Sequence, residues 1–314
     1  MGGRSRRFAH GCRTRGAAVG IRPRARPHAH VAARCGRDTG GLSQCHREPG
    51  PNQGSPPAGR TVVSILDEVD VVLFAHAHPD DETISSGALI AELAARGIRV
   101  VLLTATRGER GEVVPARRAR LQAAIGADPV EDTAAFARLR EGELREASAL
   151  LGVSSGYLLG TAPARAPGLP DRRYGDSGMR WIRDGLAGPA IDVPPGALSV
   201  EPLEEVTADV CALIDAAQPR LVIGYDDNGG YGHPDHRRIR EATLAAARST
   251  GVPFAELLAE PAPDAEWFDL ERHLAVVQDA LRCHASQVTV DGDRLVHSGG
   301  QRQKIATSVG LRRV

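Results

Sequence analysis

Nowhere does this chain reach the eighteen or so uninterrupted apolar residues that a membrane-spanning helix needs. No Gly-x-Gly-x-x-Gly follows its first strand-like run, where a dinucleotide cradle would have to sit, so nucleotide binding is disfavoured. The five cysteines, Cys12, Cys35, Cys45, Cys211 and Cys283, have neither zinc-ribbon nor disulfide-framework spacing, which fits a reducing cytoplasm. Methionine occurs only at Met1 and Met179. Net charge is also missing: 39 basic residues balance 39 acidic ones.

That balance conceals an asymmetry. Residues 1–60 carry twelve arginines against Asp38 and Glu48, about +10, so the remainder is about −10. An acidic body with no basic face argues against nucleic acid as the partner of the folded part. The arginine-, glycine- and proline-rich front has no apolar periodicity with which to offset its ordering entropy. It reads as a disordered tail, with a nucleic-acid-binding arm as the alternative, or as residues upstream of the native start; with no methionine nearby, a later start would need another codon, near Val62. "SRRF" at Ser5–Phe8 has the form of a twin-arginine signal, but no apolar segment follows it, so export is not expected.

Residues 61–314 read as one folded domain. "VDVVLFAHA", "IRVVLLTAT", "GYLLG" and "RLVIGYD" are strand-like and apolar throughout. Between and after them lie helical patterns: "SSGALIAELAARG", "FARLREGELREASALLG" ending at Gly152, "LEEVTADVCALIDAAQP" stopped by Pro219, and "HPDHRRIREATLAAARSTG" ending at Gly251. The alternation predicts an α/β fold, Rossmann-like and doubly wound, with a mostly parallel sheet and helices on both faces. Residues 161–200 read as a long loop. The C-terminal part reads as a helix, "LERHLAVVQDALRCHASQ", then a hairpin turning at Asp291-Gly292.

Two polar clusters stand at strand ends, where open parallel sheets gather ligands. "FAHAHPDDET" brings His76, His78, Asp80, Asp81 and Glu82 directly after an apolar strand. "YDDNGGYGHPDH" brings Tyr225, Asp226, Asp227, Tyr231, His233, Asp235 and His236 after another. Groups that cost free energy to bury need a purpose at such a place. His78, Asp81 and His236 would make a two-histidine, one-carboxylate metal site with positions left for water and substrate. Pro79 and Pro234 restrict the loops that carry these groups. Asp80 could then take a proton from water, and His233 could stabilise an oxyanion or protonate a leaving amine. His76, by alternation, faces the sheet packing, and Tyr225 and Asp227 read as the end of a strand and a turn.

"AHPDDE" (Ala77–Glu82) and "HPDH" (His233–His236) resemble the two signatures of the LmbE/PIG-L-type zinc N-acetylglucosamine deacetylases, over about Val69 to Val290. "NGGYGHPDH", "DSGM" and "CHASQVTV" are similar to the branch that deacetylates N-acetylglucosaminyl-inositol on the way to mycothiol. Gly232, and Ser85-Ser86-Gly87 without a lysine, separate the chain from the sister mycothiol-conjugate amidases. The resemblance implies zinc, one per chain with iron(II) as an alternative, on His78, Asp81 and His236. It implies Asp80 as general base, His233 as general acid and electrostatic stabiliser with Asp235 orienting it, and Tyr231 assisting at the carbonyl oxygen. It also implies sugar and inositol contacts from Arg140 and Asp176, with Glu112 of "GERGEV" a further contact. By its pattern Arg140 belongs to an exposed helix face. The arginine-rich front has no counterpart in that family. The chain also stops at "SVGLRRV", earlier than the family pattern implies, which leaves a closing strand unaccounted for.

Two other classes remain to be weighed. A nonhaem iron oxygenase shares the ligand types, but sets them as His-x-Asp on a β-rich fold. An inactive sugar-binding module would have no need of Asp80.

Overall fold

The structure, a computed structural model, describes residues 64–314 apart from 127, 129 and 130. The expectations for the tail and for Cys12, Cys35 and Cys45 lie outside the described residues. In chain order the elements are β1 (Val71–His76), α1 (Asp81–Ala95), β2 (Arg99–Thr104), α2 (Arg118–Ile125), α3 (Thr133–Leu151), β3 (Ser155–Leu158), β4 (Met179–Arg183), β5 (Leu186–Pro189), α4 (Leu203–Ala217), β6 (Leu221–Gly224), α5 (Gly229–Gly232), α6 (Pro234–Thr250), β7 (Phe254–Leu258), β8 (Glu266–Asp269), α7 (Leu274–Cys283), β9 (Val288–Asp291), β10 (Arg294–His297), β11 (Arg302–Lys304) and β12 (Ser308–Arg313).

β1 is apolar on both sides because both faces of the sheet are covered. Val72 and Phe74 pack into one core with Leu89, Ala147, Leu151, Val277 and Leu281, from α1, α3 and α7. Leu73 and Ala75 point the other way, among Val206, Val210, Leu213, Ile239 and Leu244 of α4 and α6. This period-two division of one strand between two cores is what a doubly wound sheet requires.

The main sheet of the described residues has seven strands in the order β3-β2-β1-β6-β7-β12-β8. β1 pairs in parallel with β2 on one side and β6 on the other. The chain therefore moves outward from β1 to β3, then returns across β1 to start β6. The crevice beyond the carboxyl ends of β1 and β6 is the topological switch point, where such sheets bind ligands.

Three segments depart from the sequence reading. The supposed loop 161–200 contains an antiparallel hairpin, β4–β5, hidden by its proline, glycine and arginine content. The C-terminal "SVGLRR" is itself a strand: β12 lies antiparallel between β7 and β8. The expected C-terminal hairpin is β9–β10, but Asp291 still pairs with Arg294, so the two-residue turn is Gly292-Asp293, one residue later than read. β11 extends it to a third strand. Among the described residues no helix is long and apolar enough to cross a membrane.

Candidate active site

The two clusters meet at the switch point because each opens a helix. β1 ends at His76, and four residues later Asp80 caps α1 with φ 103° and ψ −31°. That is the left-handed side of the backbone map, which costs a non-glycine residue about 1–3 kcal/mol. Asp81 and Glu82 follow in the first turn, where carboxylates meet the positive end of the helix. On the other side, His233 caps α6: its ring Nδ1 accepts the backbone N–H of Asp235 at 3.1 Å, with Pro234 in the first turn. Tyr231 sits between Gly230 (φ 68°) and Gly232 (φ 91°). A Cβ at Gly232 would lie 2.9 Å from the Ala187 carbonyl oxygen of β5, so glycine is required there.

Asp81 Oδ2 stands 3.3 Å from His78 Nδ1 and 3.3 Å from His236 Nε2. His236 Nδ1 donates to the Gly229 carbonyl oxygen at 3.1 Å, which leaves Nε2 as the acceptor nitrogen. That Nε2 is buried and has no hydrogen-bond partner. A carboxylate oxygen held against that nitrogen calls for a cation between them, either a proton on Nε2 or a metal ion. Ligands about 2.0–2.2 Å from a tetrahedral ion stand roughly 3.3–3.6 Å from one another, the spacing Asp81 keeps to each of the two histidines. The residues fit a divalent metal.

Two groupings bring all their donor atoms within 4.8 Å of one another, and both include His78: one with His233 and His236, the other with Asp176, His233 and Asp235. Several atoms of these groups have other partners. His233 Nδ1 caps α6. Asp235 takes the Ser177 backbone N–H at 2.9 Å on Oδ2 and the Ser177 hydroxyl on Oδ1. Asp235 Oδ2 also receives His78 Nε2–H at 3.2 Å. His78 thus turns Nε2 to a carboxylate and Nδ1 to Asp81, the pairing by which a carboxylate orients a metal-binding imidazole. Burial alone would lower the His78 pKa, but Asp176, Asp235 and Asp81 outweigh it and hold it well above its ordinary value. Burial would likewise raise Asp81, yet His236 and His78 hold it well below the usual carboxylate range.

His233 differs from the sequence expectation. The Asp235 carboxylate does not reach its ring; only the Asp235 backbone N–H does. Burial, and then the neighbouring His78 and His236, push the His233 pKa down to about 2. With Nδ1 accepting, the ring is neutral and carries its proton on Nε2. It is a hydrogen-bond donor and not an imidazolium held by Asp235.

Arg140 also differs. It is 3% exposed, not on an open helix face. Its guanidinium donates to the Gly108 and Pro79 carbonyl oxygens and stands 3.3 Å from Asp80 Oδ2. Gly108 makes room for it, since a Cβ there would lie 1.8 Å from Arg140 Nη1. Burial raises the Asp80 pKa to about 6, with Arg140 opposing and Asp81 assisting. A carboxylate poised near neutrality is suited to proton transfer.

Asp80, Asp81, His78 and His233 open into a cavity of about 860 Å³ whose lining also includes Arg140, Asp176, Glu112 and Tyr231. Asp176 is fixed by the backbone N–H groups of Arg110 and Gly178. Trp181 of β4 adds an aromatic wall, its ring 5.7 Å from that of Tyr231.

The roles of two residues were not read from the sequence. Tyr225 does more than end a strand: its hydroxyl donates to Asp81 Oδ2 at 2.8 Å, and its ring stacks on His236 at 4.3 Å. Its place directly after β6 was the available signal. Ser177, in "DSGM", holds Asp235, and nothing in its spacing announced that. His76 is buried, bonded through Nε2 to Ser86 Oγ at 2.9 Å, and lowered to about 4 by burial, as befits a core histidine.

Residues 73–247 match the family described as PIG-L, GlcNAc-PI de-N-acetylase. Three proteins similar to this chain are each named 1D-myo-inositol 2-acetamido-2-deoxy-α-D-glucopyranoside deacetylase. The one from Kineococcus radiotolerans is 43% identical over 190 residues, covering 60% of this chain and 48% of that protein, so the match spans about half its length. The Saccharomonospora viridis protein is 34% identical over 76% of this chain and 92% of its own. The Saccharopolyspora erythraea protein, numbered 1 in that species, is 35% identical over 69% of this chain and 77% of its own.

Proposed function

This chain belongs to the PIG-L family of GlcNAc-PI de-N-acetylases, and from that membership we propose that it hydrolyses the acetamide of an N-acetylglucosaminyl-inositol. The substrate would be the compound for which the similar proteins are named, 1D-myo-inositol 2-acetamido-2-deoxy-α-D-glucopyranoside. The products are acetate and glucosaminyl-inositol, and the step would serve mycothiol biosynthesis. The observation that carries the reading is the convergence of His78 Nδ1 and His236 Nε2 on Asp81 Oδ2, next to Asp80 in a cavity.

His78, Asp81 and His236 would hold the metal. Two imidazoles and a carboxylate suit zinc, and iron(II) shares the set. Such an ion supplies Lewis acidity, lowering the pKa of water and drawing charge from the acetyl carbonyl. Asp80, raised to about 6, accepts the proton of the attacking water. The proton it gains is the one the departing amine requires. His233 offers Nε2–H to the oxygen that becomes negative as the carbonyl is attacked, and Tyr231, which also lines the cavity, would assist. Asp235, through His78, keeps one ligand aimed. Arg140, Asp176 and Glu112 line the cavity where sugar and inositol hydroxyls would lie. We propose a cytoplasmic location on the grounds of cysteine usage.

The test is to incubate the zinc-loaded protein with N-acetylglucosaminyl-inositol, free N-acetylglucosamine and a mycothiol conjugate, and to measure free amine. The inositol glycoside should be turned over fastest. Preference for the conjugate would assign the chain to the amidase reaction, and no release from any of the three would reject the reading.

A further inference from the structure

Between the metal-binding candidates and the C-terminal sheet lies a buried polar chain that the proposed reaction does not use. Glu82 is 0% exposed, and so is His284 of the "CHASQVTV" segment that follows α7. Glu82 Oε1 receives His284 Nε2–H at 2.8 Å and the hydroxyl of Thr83 at 2.5 Å. Its other oxygen, Oε2, accepts the backbone N–H of Asp80 at 2.9 Å. The His284 segment is itself tied down: Ser286 gives its backbone N–H and hydroxyl to Glu143 of α3, at 2.8 and 2.6 Å.

We infer that Glu82, held by His284, is a positioning residue that clamps Asp80 in the backbone conformation from which its carboxylate reaches the substrate. Asp80 has φ 103°, a conformation a non-glycine residue keeps only when its surroundings impose it. Three interactions impose it. Glu82 takes the Asp80 N–H. The first turn of α1 takes its carbonyl oxygen, through the N–H groups of Thr83 and Ile84 at 3.0 and 2.9 Å. Arg140 grips the preceding Pro79 carbonyl and the Asp80 carboxylate. Of these, only Glu82 holds the Asp80 amide. A side chain reaching back from the first turn to the capping residue's N–H is also how a helix start is stabilised, so the readouts must separate positioning from stability.

The inference rests on the proposed role of Asp80, and the design keeps the two apart. In the wild-type protein the Asp80 amide proton should be shifted strongly downfield in the ¹H–¹⁵N spectrum and exchange slowly with solvent. An ordinary shift with fast exchange overturns the clamp without any variant. In zinc-loaded Glu82→Ala, kcat should fall at least about tenfold while KM stays within about twofold, because substrate contacts are untouched. Glu82→Gln keeps an oxygen for the Asp80 N–H and should recover most of that loss. Glu82→Ala strands His284, so a Glu82→Leu/His284→Leu double variant is included; replacing both members of a buried pair by apolar groups is often tolerated. That variant should fold and bind zinc, yet show the same kcat loss. Wild-type kcat in either variant overturns the clamp. If Asp80→Ala were itself fully active, the proposed base would fail and not the clamp.

Discussion

Asp235 turns its carboxylate to His78, 3.2 Å from Nε2, and gives His233 only its backbone N–H. One residue therefore serves two histidines through different atoms, and substitution of its side chain separates them. Asp235→Asn should loosen zinc about 10- to 100-fold, the usual cost of losing a carboxylate behind a ligating imidazole. The cap on His233 should survive, since the backbone N–H remains. Competition against a chelator measures the affinity. Unchanged affinity combined with a large loss of kcat would return Asp235 to orienting His233.

Arg140 lowers the Asp80 pKa against burial, and its removal should act on the pH profile in a defined direction. With the guanidinium gone, Asp80 stays protonated to higher pH, so the acidic limb of kcat in Arg140→Gln should move to higher pH. The Gly108 and Pro79 carbonyl oxygens also lose a charged donor, so about 1–3 kcal/mol of stability should go with it. An acidic limb that stays in place would mean that Asp80 is not the group it reports.

Away from the site, Glu92 of α1 bonds Arg96, Arg272 and His273 at 2.6, 2.5 and 2.7 Å. Burial would raise its pKa, but His273, Arg272 and Arg96 outweigh it and lower it to about 2. A carboxyl with a depressed folded-state pKa adds stability above its ordinary value, and that stability fades as protonation is forced on it. Denaturant midpoints should thus fall between pH about 4.5 and about 2, and fall less in Glu92→Gln. Equal pH dependence in the two proteins would remove Glu92 from the account.

The sheet was legible because β1, β2 and β6 are buried on both faces and so mostly apolar, while α3 and α6 end on glycines where the periodicity stops. β4 and β12 were not legible. β4 exposes most of its residues, so it shows no apolar alternation, and β12 pairs with strands distant in sequence. Within the site, residue types sufficient for metal and acid–base work could be read from His78, Asp80, Asp81, His233 and His236. Their partners could not. The link from Asp235 to His78, the burial of Arg140 under Gly108, and the reach of Tyr225 to Asp81 are properties of packing, which spacing along a chain does not encode.

The central claim is that a metal held by His78, Asp81 and His236 and a proton acceptor at Asp80 together release acetate from N-acetylglucosaminyl-inositol. The most direct measurement titrates zinc into metal-stripped wild-type, His236→Ala and Asp80→Ala proteins while following acetate and bound metal. Wild-type turnover should rise until about one ion is bound per chain. His236→Ala should bind little zinc and stay inactive, and Asp80→Ala should bind zinc normally while kcat falls at least about a hundredfold. Full activity in stripped protein, or in zinc-loaded Asp80→Ala, would contradict the account.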